Sequence, residues 1–127
     1  MAKIVKELTF ETPNRTGVLS EVTQALKNAG VNLLHAWACG EGKKGYFGLV
    51  TSNNSKAARA VKALGFWPQQ SEALLLTLPN KKGALAAKAG RLARARVNVK
   101  CLSATSAGNR VAVVMTTSNN RKAAKLI

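Results

Sequence analysis

Pro13-Asn14-Arg15-Thr16-Gly17-Val18-Leu19 returns about 66 residues later as Pro79-Asn80-Lys81-Lys82-Gly83-Ala84-Leu85. Outward from that pair the two halves stay in register without a gap. Leu26 meets Leu92, Val31-Asn32 meets Val97-Asn98, and Gly42 meets Gly108. Thr51-Ser52-Asn53-Asn54 meets Thr117-Ser118-Asn119-Asn120, and Lys56-Ala57-Ala58 meets Lys122-Ala123-Ala124. Roughly a third of the aligned positions are identical, and the matches gather at turns and helix starts, where backbone geometry restricts residue choice. One module is written twice.

Each copy has the same order of elements. A strand over about 5–12 is followed by the Pro13–Gly17 turn. Val18, Leu19, Val22, Ala25, Leu26 and Ala29 then recur at helical spacing, and Gly30 ends that helix as a residue tolerant of the left-handed conformation. A second strand over about 32–39 leads into the glycine-rich hairpin 40–45, and a third strand runs over 46–51. Asn53-Asn54-Ser55 offers helix caps, a second helix carries Ala57, Val61 and Leu64, and a fourth strand starts near Phe66. This is the split βαβ pattern. The fold class is α+β: two tandem ferredoxin-like βαββαβ modules with antiparallel sheets, covering 1–70 and 71–127. The second copy stops at Ile127, before a counterpart of the fourth strand. Its first strand, 74–78, should then be exposed at an edge, or be covered by a strand of the first module or of another chain.

Composition narrows the function classes. The formal charge is +15, aspartate is absent, and all five acids are glutamates. Such a field attracts anions, whether nucleic acid, an acidic surface or a small ligand. No apolar run is long enough to span a membrane, and residues 1–10 lack the core of a secretory signal, so a cytoplasmic location is expected. Catalysis needs placed acids, bases, nucleophiles or metals. Five scattered glutamates and one histidine, His35 in a strand, make no such set, and no enzyme activity, metal site or cofactor is expected. Cys39 and Cys101 show no metal-ligand spacing and read as buried, reduced thiols in strands.

The stretch Asn14-Arg15-Thr16-Gly17-Val18-Leu19, with Ala29-Gly30-Val31-Asn32 ahead of the second strand, resembles the ACT domain family. That family's pattern is Asn/Asp-Arg/Lys-Pro-Gly-x-Leu, a helix, then Gly-Ile/Val-Asn. The second copy departs further, with Lys82 in the proline position and Arg96 in place of the glycine; the first has Thr16 for the proline. The resemblance implies regulatory modules that pair side by side and hold an amino acid between them. Carried over, the ligand-binding residues are Asn14, Arg15, Thr16, Gly17, Val18, Leu19 and Asn32, then Asn80, Lys81, Lys82, Gly83, Ala84, Leu85 and Asn98. A homodimer is expected.

The residues themselves support an anion site. A helix N-terminus leaves its first amides unpaired and partly positive, and a glycine there admits a ligand to the backbone. Arg15, Lys81 and Lys82 lie where that dipole disfavours cations, a conflict an anion would relieve. The asparagines can serve both ends of a zwitterion, although turn formation explains them too. The rival reading is nucleic-acid binding: Lys44-Gly45-Tyr46-Phe47-Gly48 is similar to the basic-aromatic third strand of RNA-recognition motifs, with Phe47 and Gly48 transposed. Lys88, Arg91 and Arg94 add a basic helical stripe.

Overall fold

The computed structural model describes residues 2–127. The elements run β1 (Lys3–Pro13), α1 (Val18–Asn28), β2 (Leu33–Glu41), β3 (Lys44–Thr51), α2 (Asn54–Ala63), β4 (Gln69–Pro79), α3 (Ala84–Arg94), β5 (Val99–Ala107), β6 (Arg110–Thr117) and α4 (Asn120–Leu126). They form two compact units, one being Lys6–Ser71 and the other residues 2–5 together with Glu72–Ile127.

In the first unit the strand order is β2-β3-β1, all antiparallel, with Phe10 opposite Phe47 and Trp37 opposite Gly48. Alternate residues Leu8 and Phe10 of β1 and Phe47 and Leu49 of β3 face α1 and α2. They form one buried cluster with Val22, Leu26, Ala57 and Val61. Both helices therefore cover the same face of this sheet. In the other unit β6 lies between β4 and β5, and Leu74, Leu76, Val113 and Met115 form its core with Leu92 and Ala123.

The Thr-Ser-Asn-Asn repeat has a reason at every position. Asn53 caps α2 by accepting the Lys56 N–H at 3.1 Å. Ser52 Oγ accepts from the Asn32 N–H at 2.9 Å. Asn54 Oδ1 accepts from Thr51 Oγ1 at 2.5 Å, and Asn54 Nδ2 donates to the Lys6 carbonyl at 3.0 Å. Thr117, Ser118, Asn119 and Asn120 repeat all of these bonds, Asn120 donating to the Glu72 carbonyl. Four polar side chains satisfy backbone and side-chain groups that would otherwise be stranded at the strand–helix joint.

Two expectations need correction, and a third resolves between its alternatives. The fourth strand does not begin near Phe66. The Phe66 N–H is still bonded to the Val61 carbonyl at the end of α2, and Pro68 has no N–H to give, so extended structure resumes at Gln69 and runs unbroken to Pro79. For the second module's first strand the covered alternative holds, since residues 3–5 of β1, which lie in the first module's stretch of sequence, belong to the same unit as Glu72–Ile127. Residues 2–5, which a division at 70 places in the first module, belong to this unit, with Ala2 against its core. Lastly, Cys39 and Cys101 are exposed; each stands on the edge strand of its own unit, β2 beside β3 and β5 beside β6.

Helix α1 ends in a Schellman motif: the Gly30 N–H bonds the Lys27 carbonyl, the Val31 N–H bonds the Leu26 carbonyl, and Gly30 has φ +71°. Helix α3 closes identically, yet its left-handed residue is Arg96, at φ +59°. A side chain in that conformation costs about 1–2 kcal/mol. Glycine there removes the strain but frees the unfolded chain. Arg96→Gly should therefore stabilise by about 0.5–1 kcal/mol, read as a higher urea midpoint at unchanged slope; a lower midpoint would show the strain to be absent.

Candidate functional site

The β1–α1 turn is held from below by its asparagine. The Asn14 N–H donates to the Lys43 carbonyl at 2.9 Å, and Asn14 Nδ2 donates to the Gly42 carbonyl at 3.0 Å, tying the turn to the β2–β3 hairpin. The amide lies against Gly40, where a Cβ would sit 2.4 Å from Asn14 Oδ1. Asn80 does the same in the second module, bonding the Asn109 and Gly108 carbonyls. The recurring asparagine thus has a structural task in both copies.

Gly17 follows as the N-cap of α1 at φ +95°, and Gly83 caps α3 at φ +79°. Neither helix receives a side-chain cap there. A Cβ on either glycine would meet nothing within 4 Å, so helix–sheet packing does not require the glycine. The left-handed backbone does.

Below the first turn lies a cavity of about 160 Å³ lined by Asn14, Arg15, Val18 and Leu19 from the turn and helix, with Thr12, Cys39 and Gly40 from the strands. It brings together four of the expected residues. Thr16 and Gly17 belong to the turn above it. Asn32 does not join them: it lines a separate depression with Thr23, Lys27 and Gly30. Its backbone N–H and carbonyl are both bonded to Ser52, as those of Asn98 are to Ser118. Cys39 and Gly40 escaped the sequence reading, because only the register of β2 against β3 brings them under the turn.

The electrostatics also differ from expectation. The anion that answers Arg15 is Glu21, in the first turn of α1, with both guanidinium nitrogens on its carboxylate. That hydrogen bond, with the charge behind it, holds the Glu21 carboxyl below the ordinary carboxylate value. The second module has Ala87 in place of Glu21, so the repeat supplies no equivalent acid beside Lys81 and Lys82. Its Ala84 and Leu85 are half-buried at the start of α3.

The nucleic-acid features fare differently. Phe47 is buried and stacked on Phe10, ring centroids 5.0 Å apart, so it offers no surface to a base. Arg91 of the basic stripe donates to the Leu126 carbonyl at 3.3 Å, within its own unit.

A split βαβ unit with both helices on one face and a glycine-capped helix after the first strand is the architecture of a ferredoxin-like module. The profile of the ACT domain pair matches residues 3–127, and the chain belongs to that family. It is similar to a protein of Bacteroides thetaiotaomicron, 27% identical over 98% of this chain and 87% of that one, with a TM-score of 0.90. It also shares its fold with the ligand-free regulatory subunit of aspartate kinase from Thermus thermophilus, 11% identical over 98% of this chain and 93% of that one, TM-score 0.72. The corresponding subunit from Thermus flavus is 12% identical over 98% and 90%, TM-score 0.68. Comparison with curated proteins finds no match. Among the described residues no helix is long and apolar enough to cross a membrane.

Proposed function

We propose that this chain is a regulatory protein that binds an amino acid at the β1–α1 turn of its first module. The observation that carries the reading is the cavity at the β1–α1 turn, with Asn14, Arg15 and Val18 in its wall beside a helix start that has no side-chain cap. Its volume is that of about five waters, room for a ligand of few heavy atoms. The ligand carboxylate takes the free amides of α1, where the helix dipole favours it, and Arg15 exchanges part of its bond to Glu21 for the same group. The fold shared with aspartate kinase regulatory subunits agrees with a role in sensing an amino acid. The protein acts in the cytoplasm as a non-catalytic module. The outer strands β2 and β5, with Leu34 and Leu102 exposed, support pairing with a second copy.

A thermal-shift screen of amino acids tests this, since a ligand bound only to the folded state raises the midpoint. One or a few amino acids should raise the midpoint of the wild-type chain. Gly17→Asp, which sets a carboxylate against the incoming one, should abolish the shift, while Gly17→Asn, of equal size and tolerant of the left-handed backbone, should keep part of it. No shift with any amino acid, or an equal shift in a folded Gly17→Asp variant, refutes the placement.

A further inference from the structure

The first unit has a second recess, on the sheet face that the helices leave uncovered, and its chemistry is opposite to that of the rest of the chain. Both tryptophans and the only tyrosine, Trp37, Tyr46 and Trp67, line one cavity of about 380 Å³ with Glu11 and Gln69. The register explains the assembly. Thr9, Gly48 and Trp37 lie side by side across β1, β3 and β2, and Glu11, Tyr46 and Cys39 form the next row on the same face. Because Gly48 has no side chain, the Trp37 indole lies flat over β3: a Cβ on Gly48 would be 2.0 Å from Trp37 Nε1. The indole N–H reaches across to β1 and donates to Glu7 Oε2 at 3.2 Å. Glu7 is 5% exposed.

Two of the five acids in a chain of charge +15 therefore sit at one aromatic recess. Glu7 lies under the floor and Glu11 at the rim. A carboxylate bonded to the indole N–H polarises the ring toward greater electron density, and the indole face is the strongest of the aromatic partners for a cation. Trp67 already attracts one: Lys62 Nζ lies 5.7 Å from its ring centroid. At the rim, Glu11 pairs with Lys44, 3.8 Å away with both side chains more than half exposed, a pairing that a better-placed cation displaces at little cost.

We infer that this recess is a second ligand site, distinct from the turn site, for a small organic ammonium ion. Aromatic walls take the methyl or methylene groups, Glu11 at the rim answers the charge directly, and buried Glu7 acts through the Trp37 indole. A nucleobase would also stack on these rings, but its phosphates would face Glu11, so the acid at the rim decides for the cation.

The test is the tryptophan fluorescence of the full chain titrated with choline chloride, with sodium chloride as the matched salt and the uncharged tert-butyl analogue of choline as the neutral isostere. A saturable change with choline, at least several-fold weaker with the neutral analogue, is expected. Trp67→Ala, at a residue 77% exposed, and Glu11→Gln should each weaken it about two- to fivefold, with the far-ultraviolet circular dichroism unchanged. Equal binding of the neutral analogue, no saturable response, or choline binding indifferent to both variants overturns the inference. So does retention of single-stranded RNA that Trp67→Ala abolishes in a protein without a choline response.

Discussion

Truncating Leu26 or Leu92 to alanine should lower the free energy of unfolding by about 2–5 kcal/mol, whereas Leu19→Ala should change it by no more than about 0.5 kcal/mol. All three leucines recur in both copies of the repeat, so recurrence alone does not rank them. Burial does. Leu26 and Leu92 are each 1% exposed and lie inside the two core clusters. Each also lends its carbonyl to the Schellman motif, to Val31 and Val97 respectively, so an isobutyl group lost there empties space directly under the helix end. Leu19 is 61% exposed, one residue into α1 and on the wall of the turn cavity. In the first copy it serves the turn, whereas its counterpart Leu85 is half-buried against the second core. Urea unfolding at matched slopes measures all three. A loss for Leu19→Ala as large as that for Leu26→Ala would mean that the first turn of α1 is packed more deeply than described. The same Leu19→Ala variant belongs in the ligand screen, where its effect should appear instead.

The parts of this molecule that were legible in the sequence are those fixed by backbone geometry close in the chain. Gly17 and Gly30 are glycines because their φ is positive, and the Thr-Ser-Asn-Asn joint repeats because each side chain closes its own bond. Such constraints act within a few residues and leave a local signature. Partner choice across the fold leaves none. Nothing in Lys3-Ile4-Val5 announces that these residues belong with Glu72–Ile127, since any alternating segment suits an open strand. Nothing around Cys39 announces an outermost strand, so its exposure was missed. Of the expected ligand-binding residues, Asn14, Arg15, Val18 and Leu19 share one cavity because they share one turn, whereas Asn32, whose backbone is bonded to Ser52, lines a separate depression. The likeness of β3 to the RNA-recognition strand breaks at its transposed pair. Tyr46 and Phe47 are neighbours in sequence, but alternation sends one to the open face and the other to the core.

Gly48→Ala should destabilise the chain by about 2–4 kcal/mol, an unusual loss for a change that normally favours a strand, where glycine is the weaker residue. The added Cβ would lie 2.0 Å from Trp37 Nε1 and 2.3 Å from Cε2, and real atoms do not approach so closely. β3 is the middle strand, paired on both sides, so the backbone cannot yield and the indole must. Once lifted, it surrenders its hydrogen bond to Glu7 and uncovers a carboxylate that the fold had buried. A double-mutant cycle separates this cause from a general intolerance of β3. In a Trp37→Leu background the obstructing ring is gone, and Gly48→Ala should cost less than about 1 kcal/mol, leaving a coupling of at least about 1–2 kcal/mol between the two positions. The indole N–H resonance of Trp37 should shift in Gly48→Ala alone, and the choline response should vanish with it, because the floor of the recess has moved. Additive losses in the cycle would mean that Trp37 does not lie over Gly48, and the aromatic recess would lose its base together with the explanation for why a glycine occupies the centre of the sheet.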